Sequence, residues 1–280
     1  MKQYFRMYKK HPNAVALRIL VTTAAALTVL VLFSLVFYIL IKGIPNLKPS
    51  LFEWKYTSKN ASMMPAIINT ITMVLMTLLI AVPFGIGSAI YLTEYAKRGN
   101  KVVPVIRMTT ETLSGIPSIV YGLFGYMAFV RWLDWGYSLM AGIITLAIMI
   151  LPLIMRTTEE ALLAVPDSYR EGSYGLGAGR LRTIFRVVLP SAMPGILSGV
   201  ILGVGRIVGE TAALIYTAGS VTGVPNSLMS SGRTLAVHMY ALLSEGLYTD
   251  EAYATAVVLL VLVFIINRLS AYVANKIQNR

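Results

Sequence analysis

Long uncharged runs, separated by short clusters of charge, set the layout of this chain. Residues 19–41 hold 23 positions without a charge. At about 1.5 Å per residue such a run crosses a hydrocarbon layer of roughly 30 Å. Lys9, Lys10 and Arg18 precede it, but it is longer than the apolar region of a signal peptide, which predicts an uncleaved first span. Further uncharged stretches predict helices at about 66–92, 112–130, 135–155 and 193–216, with Pro117 near the start of the third. A sixth covers 252–267 and extends past Arg268 to about residue 273.

The basic residues orient these six spans. Of the 24 Lys and Arg, 17 fall in the N-terminal segment, the second-to-third and fourth-to-fifth connections, and the C-terminus. Six fall on the other side, and Arg206 lies inside a span. Cytoplasmic loops carry the excess of Lys and Arg, so both termini are predicted to be cytoplasmic.

Composition agrees with the pattern. In 280 residues, 56% are apolar, 13% are charged and mean hydropathy is +0.71. Soluble domains carry about 25% charge, so this chain lacks the polar surface to face water all round. The reading is an all-α integral membrane protein. The net charge of +12 is mainly a topology signal, and no nucleic-acid partner is inferred. There is no cysteine and only two histidines, His11 and His238. That excludes disulfides and thiol chemistry and leaves no metal site in view. The expected organisation is residues 1–65 (N-terminal cytoplasmic segment, first span and outer loop), 66–273 (transmembrane domain with a cytoplasmic loop at about 156–192) and a tail at 274–280.

The 156–192 connection has internal structure. Thr158 can cap a short helix with Glu159 and Glu160 at its positive end, and Pro166 ends it. Asp167 or Ser168 can cap a second helix beginning near Tyr169. Leu181, Ile184, Phe185 and Val188 recur at helical spacing and predict an amphipathic helix. By itself this is compatible with a surface loop whose arginines only fix topology. The order of residues, however, resembles the cytoplasmic signature of ABC importer permeases: E-A-A, three residues, G, nine residues, I-x-L-P. Here Glu171, Gly172 and Ser173 stand at the first three positions, Gly177 at the glycine, and Val187, Leu189 and Pro190 at the end. Two small residues replace the alanines, and Val replaces Ile. The resemblance implies a type I, MetI-like permease fold and a loop that docks on an ATP-hydrolysing subunit. The chain has no G-x-x-x-x-G-K-[ST] motif, so ATP and Mg would be bound by that partner and the chain itself would not be catalytic.

Arg206 and Glu210 are four residues apart, which predicts one helical face and a separation of about 6 Å. Gly203, Gly205 and Gly209 add small residues nearby. One reading is an internal ion pair that packs helices. The other is a substrate-path arginine, since intramembrane charges default to function and a guanidinium fork suits a tetrahedral oxyanion. Three segments resemble phosphate-transport permeases: Gly205–Leu214 (GRIVGETAAL), Tyr91–Tyr95 (YLTEY) and Leu113–Gly125 (LSGIPSIVYGLFG). The resemblance implies that Arg206, Glu210 and Thr211 line the substrate pathway. It also implies a sister permease subunit, two ATP-binding subunits and an extracytoplasmic phosphate-binding protein in a prokaryotic cell membrane. Pro117 and Ser118 fit either a broken helix open to a cavity or an ordinary helix start. Another oxyanion remains an alternative substrate. A stand-alone secondary transporter is the more distant rival; the docking loop argues against it, and the sequence shows no inverted-repeat pair of broken spans to support it. His238 is placed in the outer connection, and Trp132 and Trp135 in an outer interfacial belt.

Overall fold

A computed structural model of the protein describes residues 12–97 and 99–278. Lys2, Arg6, Lys9, Lys10 and His11, with Arg98 and Arg280, lie outside the described residues, as do the first 11 residues of the expected N-terminal segment and the last two of the tail. Among the described residues all regular structure is helical. Five stretches are long and apolar enough to cross a membrane: Asn13–Asn46, Met64–Tyr95, Leu139–Leu163, Arg180–Gly209 and Thr249–Tyr272. The pair Val102–Ser114 and Ser118–Trp132, bent by 101°, supplies a sixth if counted as one span.

We number the helices α1 (Pro12–Gly43), α2 (Met64–Ile90), α3 (Val102–Ser114), α4 (Ser118–Gly125), α5 (Leu139–Leu163), α6 (Asp167–Gly175), α7 (Arg180–Thr183), α8 (Leu189–Gly209), α9 (Ala212–Thr217), α10 (Leu235–Glu245) and α11 (Thr249–Gln278). Tight packing centres on α5, where Ile143, Leu146, Ile150 and Ile154 are fully buried against α2, α8 and α9. A second cluster, including Met63, Leu235 and Ala254, closes the outer end, and a third, including Leu162, Val188 and Ile196, closes the inner end. By contrast α1 exposes apolar side chains along its length. It touches the rest of the fold mainly near Gly43, where an added Cβ would collide with the Tyr253 carbonyl and Val257 on α11.

The third and fifth spans differ from the expected continuous helices. The expected 112–130 helix is broken at residues 115–117. Pro117 is incompatible with a helix interior and drives its predecessor out of the α region, so it stands just before α4 with φ −58° and ψ 140°. The Tyr121 hydroxyl donates to the Leu113 carbonyl at 2.8 Å and closes the break. The expected 193–216 helix stops at Gly209. Glu210 is extended (φ −72°, ψ 128°), and α9 begins at Ala212. Two broken helices therefore pack together. A Cβ on Gly122 would lie 2.8 Å from the Cα of Ala213, and one on Gly125 would meet Thr145 and Thr217.

The 156–192 connection begins later than expected. No helix breaker stands between Arg156 and Leu163, so α5 runs through both, and Thr158 is buried inside α5 instead of capping a new helix. Beyond α7, a π turn at Ile184–Val188 continues into α8. That turn alters the helical period, so Ile184 and Val188 are buried while Leu181 and Phe185 face out. The expected single face of four apolar residues does not form.

Candidate functional site

Arg206, Glu210 and Thr211 meet at the break between α8 and α9. The predicted i,i+4 face does not exist, because the helix ends between the two charges and no ion pair joins them. Glu210 is 8% exposed, and one carboxylate oxygen accepts the Ala213 N–H at 3.1 Å. It thereby caps α9, where a negative charge faces the positive helix end. Thr211 donates to the Gly209 carbonyl at 3.4 Å. Arg206 is half-buried and, among the described residues, has no hydrogen bond or ion pair. Its guanidinium acts electrostatically on the Tyr121 hydroxyl group. Tyr121 lies one helical turn beyond Ser118, so the two breaks share one neighbourhood. Pro117 is exposed and Ser118 half-buried.

Glycine distribution shows which side of α8 is open. A Cβ on Gly195 would sit 2.6 Å from the Cβ of Ala161, and one on Gly199 would collide with Thr157. These glycines, with Gly203 near Ile154, let α8 approach α5 closely. A Cβ on Gly205 or Gly209 would meet nothing within 4 Å. The expected small-residue face of Gly203, Gly205 and Gly209 is therefore split, and only the Arg206 neighbourhood is open.

The second region is α6 and its surroundings. The helix has no buried residue, and Glu171, Gly172 and Gly177 are exposed. Gly177 has φ +80°, with the Ala178 N–H bonded to the Ser173 carbonyl and the Gly177 N–H to the Tyr174 carbonyl. This is a Schellman closure, and its left-handed position requires glycine. The Ser173 hydroxyl lies 2.8 Å from that of Thr183, tying α6 to α7. Tyr169, Leu176, Leu181 and Phe185 are exposed around it. Val187 and Leu189 are half-buried and Pro190 is exposed at the entry to α8.

Sequence reasoning missed two arrangements. Arg170 bonds Glu94 of the π turn Tyr91–Tyr95 at 2.7 Å, together with the Val165 and Leu162 carbonyls at 2.8 and 3.0 Å. The Glu94 hydrogen bond, first among several causes, holds the Arg170 guanidinium above its ordinary value. The YLTEY segment was a signal for Glu94, but nothing local names a partner 76 residues away. At the outer end, Arg233 is 4% exposed and lies 4.7 Å over the Tyr56 ring, with its Nε and Nη2 unpartnered. Burial lowers its pKa, against an opposing contribution from Tyr56. His238 is fully buried on α10, within the outer connection, and burial followed by the Arg233 charge lowers its pKa to about 3.

Comparison with known proteins adds to this geometry. Residues 81–279 match the family described as "Binding-protein-dependent transport system inner membrane component". The chain is 34% identical over 277 residues to "Probable ABC transporter permease protein YqgI" of Bacillus subtilis, covering 91% of this chain and 93% of that one. It is 41% identical over 165 residues to "Phosphate transport system permease protein PstA 2" of Mycobacterium bovis, a match covering 59% of this chain and about half of the relative (54%). Among solved structures, a bacterial alginate ABC transporter in complex with an alginate pentasaccharide-bound periplasmic protein superposes with a TM-score of 0.70. The overlap covers 98% of both chains at 16% identity, a likeness of fold alone.

Proposed function

The chain belongs to the family of binding-protein-dependent transport system inner membrane components, and on that premise we propose that it is a phosphate-conducting permease subunit of the PstA type. It is a multi-pass membrane component of an ABC importer, and ATP hydrolysis belongs to a separate subunit. In the proposed cycle an extracytoplasmic, PstS-like protein delivers phosphate to the outer mouth. A PstC-like sister permease supplies the other half of the path. Two PstB-like subunits bind ATP and Mg and engage α6 from the cytoplasm.

The observation that carries the reading is Arg206. A cation inside a membrane span is costly without compensation, and this one has no hydrogen-bond or ion-pair partner among the described residues. It stands at a helix break beside glycines whose outer sides are empty. Its planar fork can bind two oxygens of a tetrahedral anion and release them when the opposite gate opens. Glu210 holds the break in shape by capping α9, which keeps Arg206 at the end of a rigid helix. The phosphate relatives' names support the choice of anion. The exposed α6, closed by Gly177 and bearing Glu171, supports ATPase docking.

The test is uptake of radiolabelled phosphate into liposomes containing the full complex, with ATP hydrolysis followed in parallel. Arg206→Gln is expected to lower uptake at least tenfold while hydrolysis persists. Unchanged uptake would make Arg206 structural. If the native complex takes up no phosphate but another oxyanion competes for hydrolysis stimulated by its binding protein, the substrate assignment falls and the permease assignment stays.

A further inference from the structure

Arg170 joins three elements at the inner face. It starts on α6, and its guanidinium reaches the carbonyls of Leu162 at the end of α5 and Val165 just after it, the carboxylate of Glu94 below α2, and, at 3.3 Å, the exposed carboxylate of Asp167 on its own helix. Its Nε also points at Glu94, 3.2 Å from Oε1. Both partners are withdrawn from water, with side chains 15% and 7% exposed. The Arg156–Glu160 pair nearby is 54% and 62% exposed, the kind of surface pair that contributes little. A half-buried arginine that bonds a buried carboxylate and two main-chain carbonyls is different in kind. The geometry is fixed by a planar fork, and loss of Arg170 would leave the buried Glu94 carboxylate without its cation. A second contact lies beside it: Arg180 of α7 stands 4.8 Å over the Tyr95 ring, one residue from Glu94.

We propose that the Arg170–Glu94 joint is a positioning device that makes the inner ends of α2 and α5 move as one body with α6. The inference rests on the reading of α6 as the ATPase-docking helix. A displacement of α6 by the ATPase then reaches α2 and α5 together, and both change position relative to the broken pair of α4 and α9. Without the joint, α6 can move while α2 lags, and hydrolysis proceeds without transport. Glu94 and Arg170 touch neither substrate nor ATP in this scheme; they set the efficiency of transmission.

The chain has no native cysteine, so spin labels can be placed at Phe84 on the exposed side of α2 and Ser168 on α6 through Phe84→Cys and Ser168→Cys. The full complex is reconstituted, and the label separation is measured without nucleotide and with ATP. With the joint intact, the separation is expected to be narrow and equal in both states. In Glu94→Gln it is expected to broaden or shift by several ångströms. Phosphate moved per ATP hydrolysed is expected to fall about tenfold, while the ATPase still co-purifies. Arg170→Lys, which keeps the charge but loses the fork, is expected to fall between. An unchanged separation and ratio in Glu94→Gln overturns the proposal. Loss of assembly in both variants also overturns it, since the joint would then only hold the fold together. Failure of the docking reading shows separately, as a native chain that brings no ATPase through purification, and it removes this inference as well. The label measurement does not depend on phosphate, so a wrong substrate leaves the outcome readable.

Discussion

The two halves of α8 use glycine for opposite purposes. In the inner half, Gly195 and Gly199 face α5 so closely that a single carbon would strike Ala161 or Thr157. In the outer half, Gly205 and Gly209 flank Arg206 and have nothing within 4 Å of the place a Cβ would take. One pair is small because a neighbour is present, the other because the space is kept clear. Arg233 and Arg206 divide the same way. Arg233 is packed on Tyr56 within the outer end, whereas Arg206 stands half-open at the break. Damage to a packed site should appear first as lost stability. Damage to the open site should appear as lost transport in a protein that still folds.

Gly199→Leu tests the packed half most severely. A branched side chain driven into the Thr157 side chain overpacks the α5–α8 contact, for which ~1–3 kcal/mol is typical. The expected outcome is loss of the monodisperse complex, read by size-exclusion chromatography and thermal melting in detergent. Gly205→Leu is the matched substitution in the open half. Its melting should stay within about 0.5 kcal/mol of native, while phosphate uptake in liposomes falls several-fold because the side chain fills the space beside Arg206. If both variants melt early, the division of α8 is wrong.

The spans were readable because each needs only a long apolar run, and four of the six lie within continuous helical stretches, while the third and fifth are broken. The breaks were less readable. Pro117 announced one, since proline cannot continue a helix. The break at Glu210 has no such residue: Gly209 only permits it, and the carboxylate that stabilises it acts after the turn has formed. The Arg206–Glu210 pair was therefore mistaken for a helical face. The Leu181–Val188 periodicity misled for a related reason, because a π turn shifted its phase. Glu171 and Gly177 were legible through their spacing, and Gly177 has a local physical cause. Arg170 stood beside them unnoticed, since its meaning lies in Glu94 on another helix.

Gly177→Asp extends the comparison to α6, the helix proposed to dock on the ATPase. The site has open space around it, so packing predicts no cost, but its φ of +80° does. A side chain in the left-handed region costs about 1–2 kcal/mol. The expected result is roughly tenfold weaker retention of the ATPase during purification, with unchanged melting of the membrane helices. Gly177→Asn, which tolerates this conformation better, should lose less. Equal losses in both would place the effect in side-chain contact with the ATPase and not in the Schellman closure.

The smallest effect belongs to His238, which sits in the packed outer end with the Tyr56 ring edge-on at 6.1 Å and the Arg233 charge nearby. Its folded pKa of about 3 lies below the ordinary 6.5. Between those values the unfolded chain binds the proton and the folded chain does not, so stability falls as pH drops below about 6.5. At pH 6 the loss is only about 0.7 kcal/mol relative to pH 7. Melting in detergent at pH 7 and pH 6 should show a decrease in native protein that is smaller by this amount in His238→Gln. Phosphate uptake per folded complex should not change between the two proteins at either pH if, as proposed, the packed end contributes stability and the Arg206 neighbourhood contributes transport. A pH-dependent change in uptake that disappears in His238→Gln would instead couple the outer end to the pathway and end the separation of the two regions.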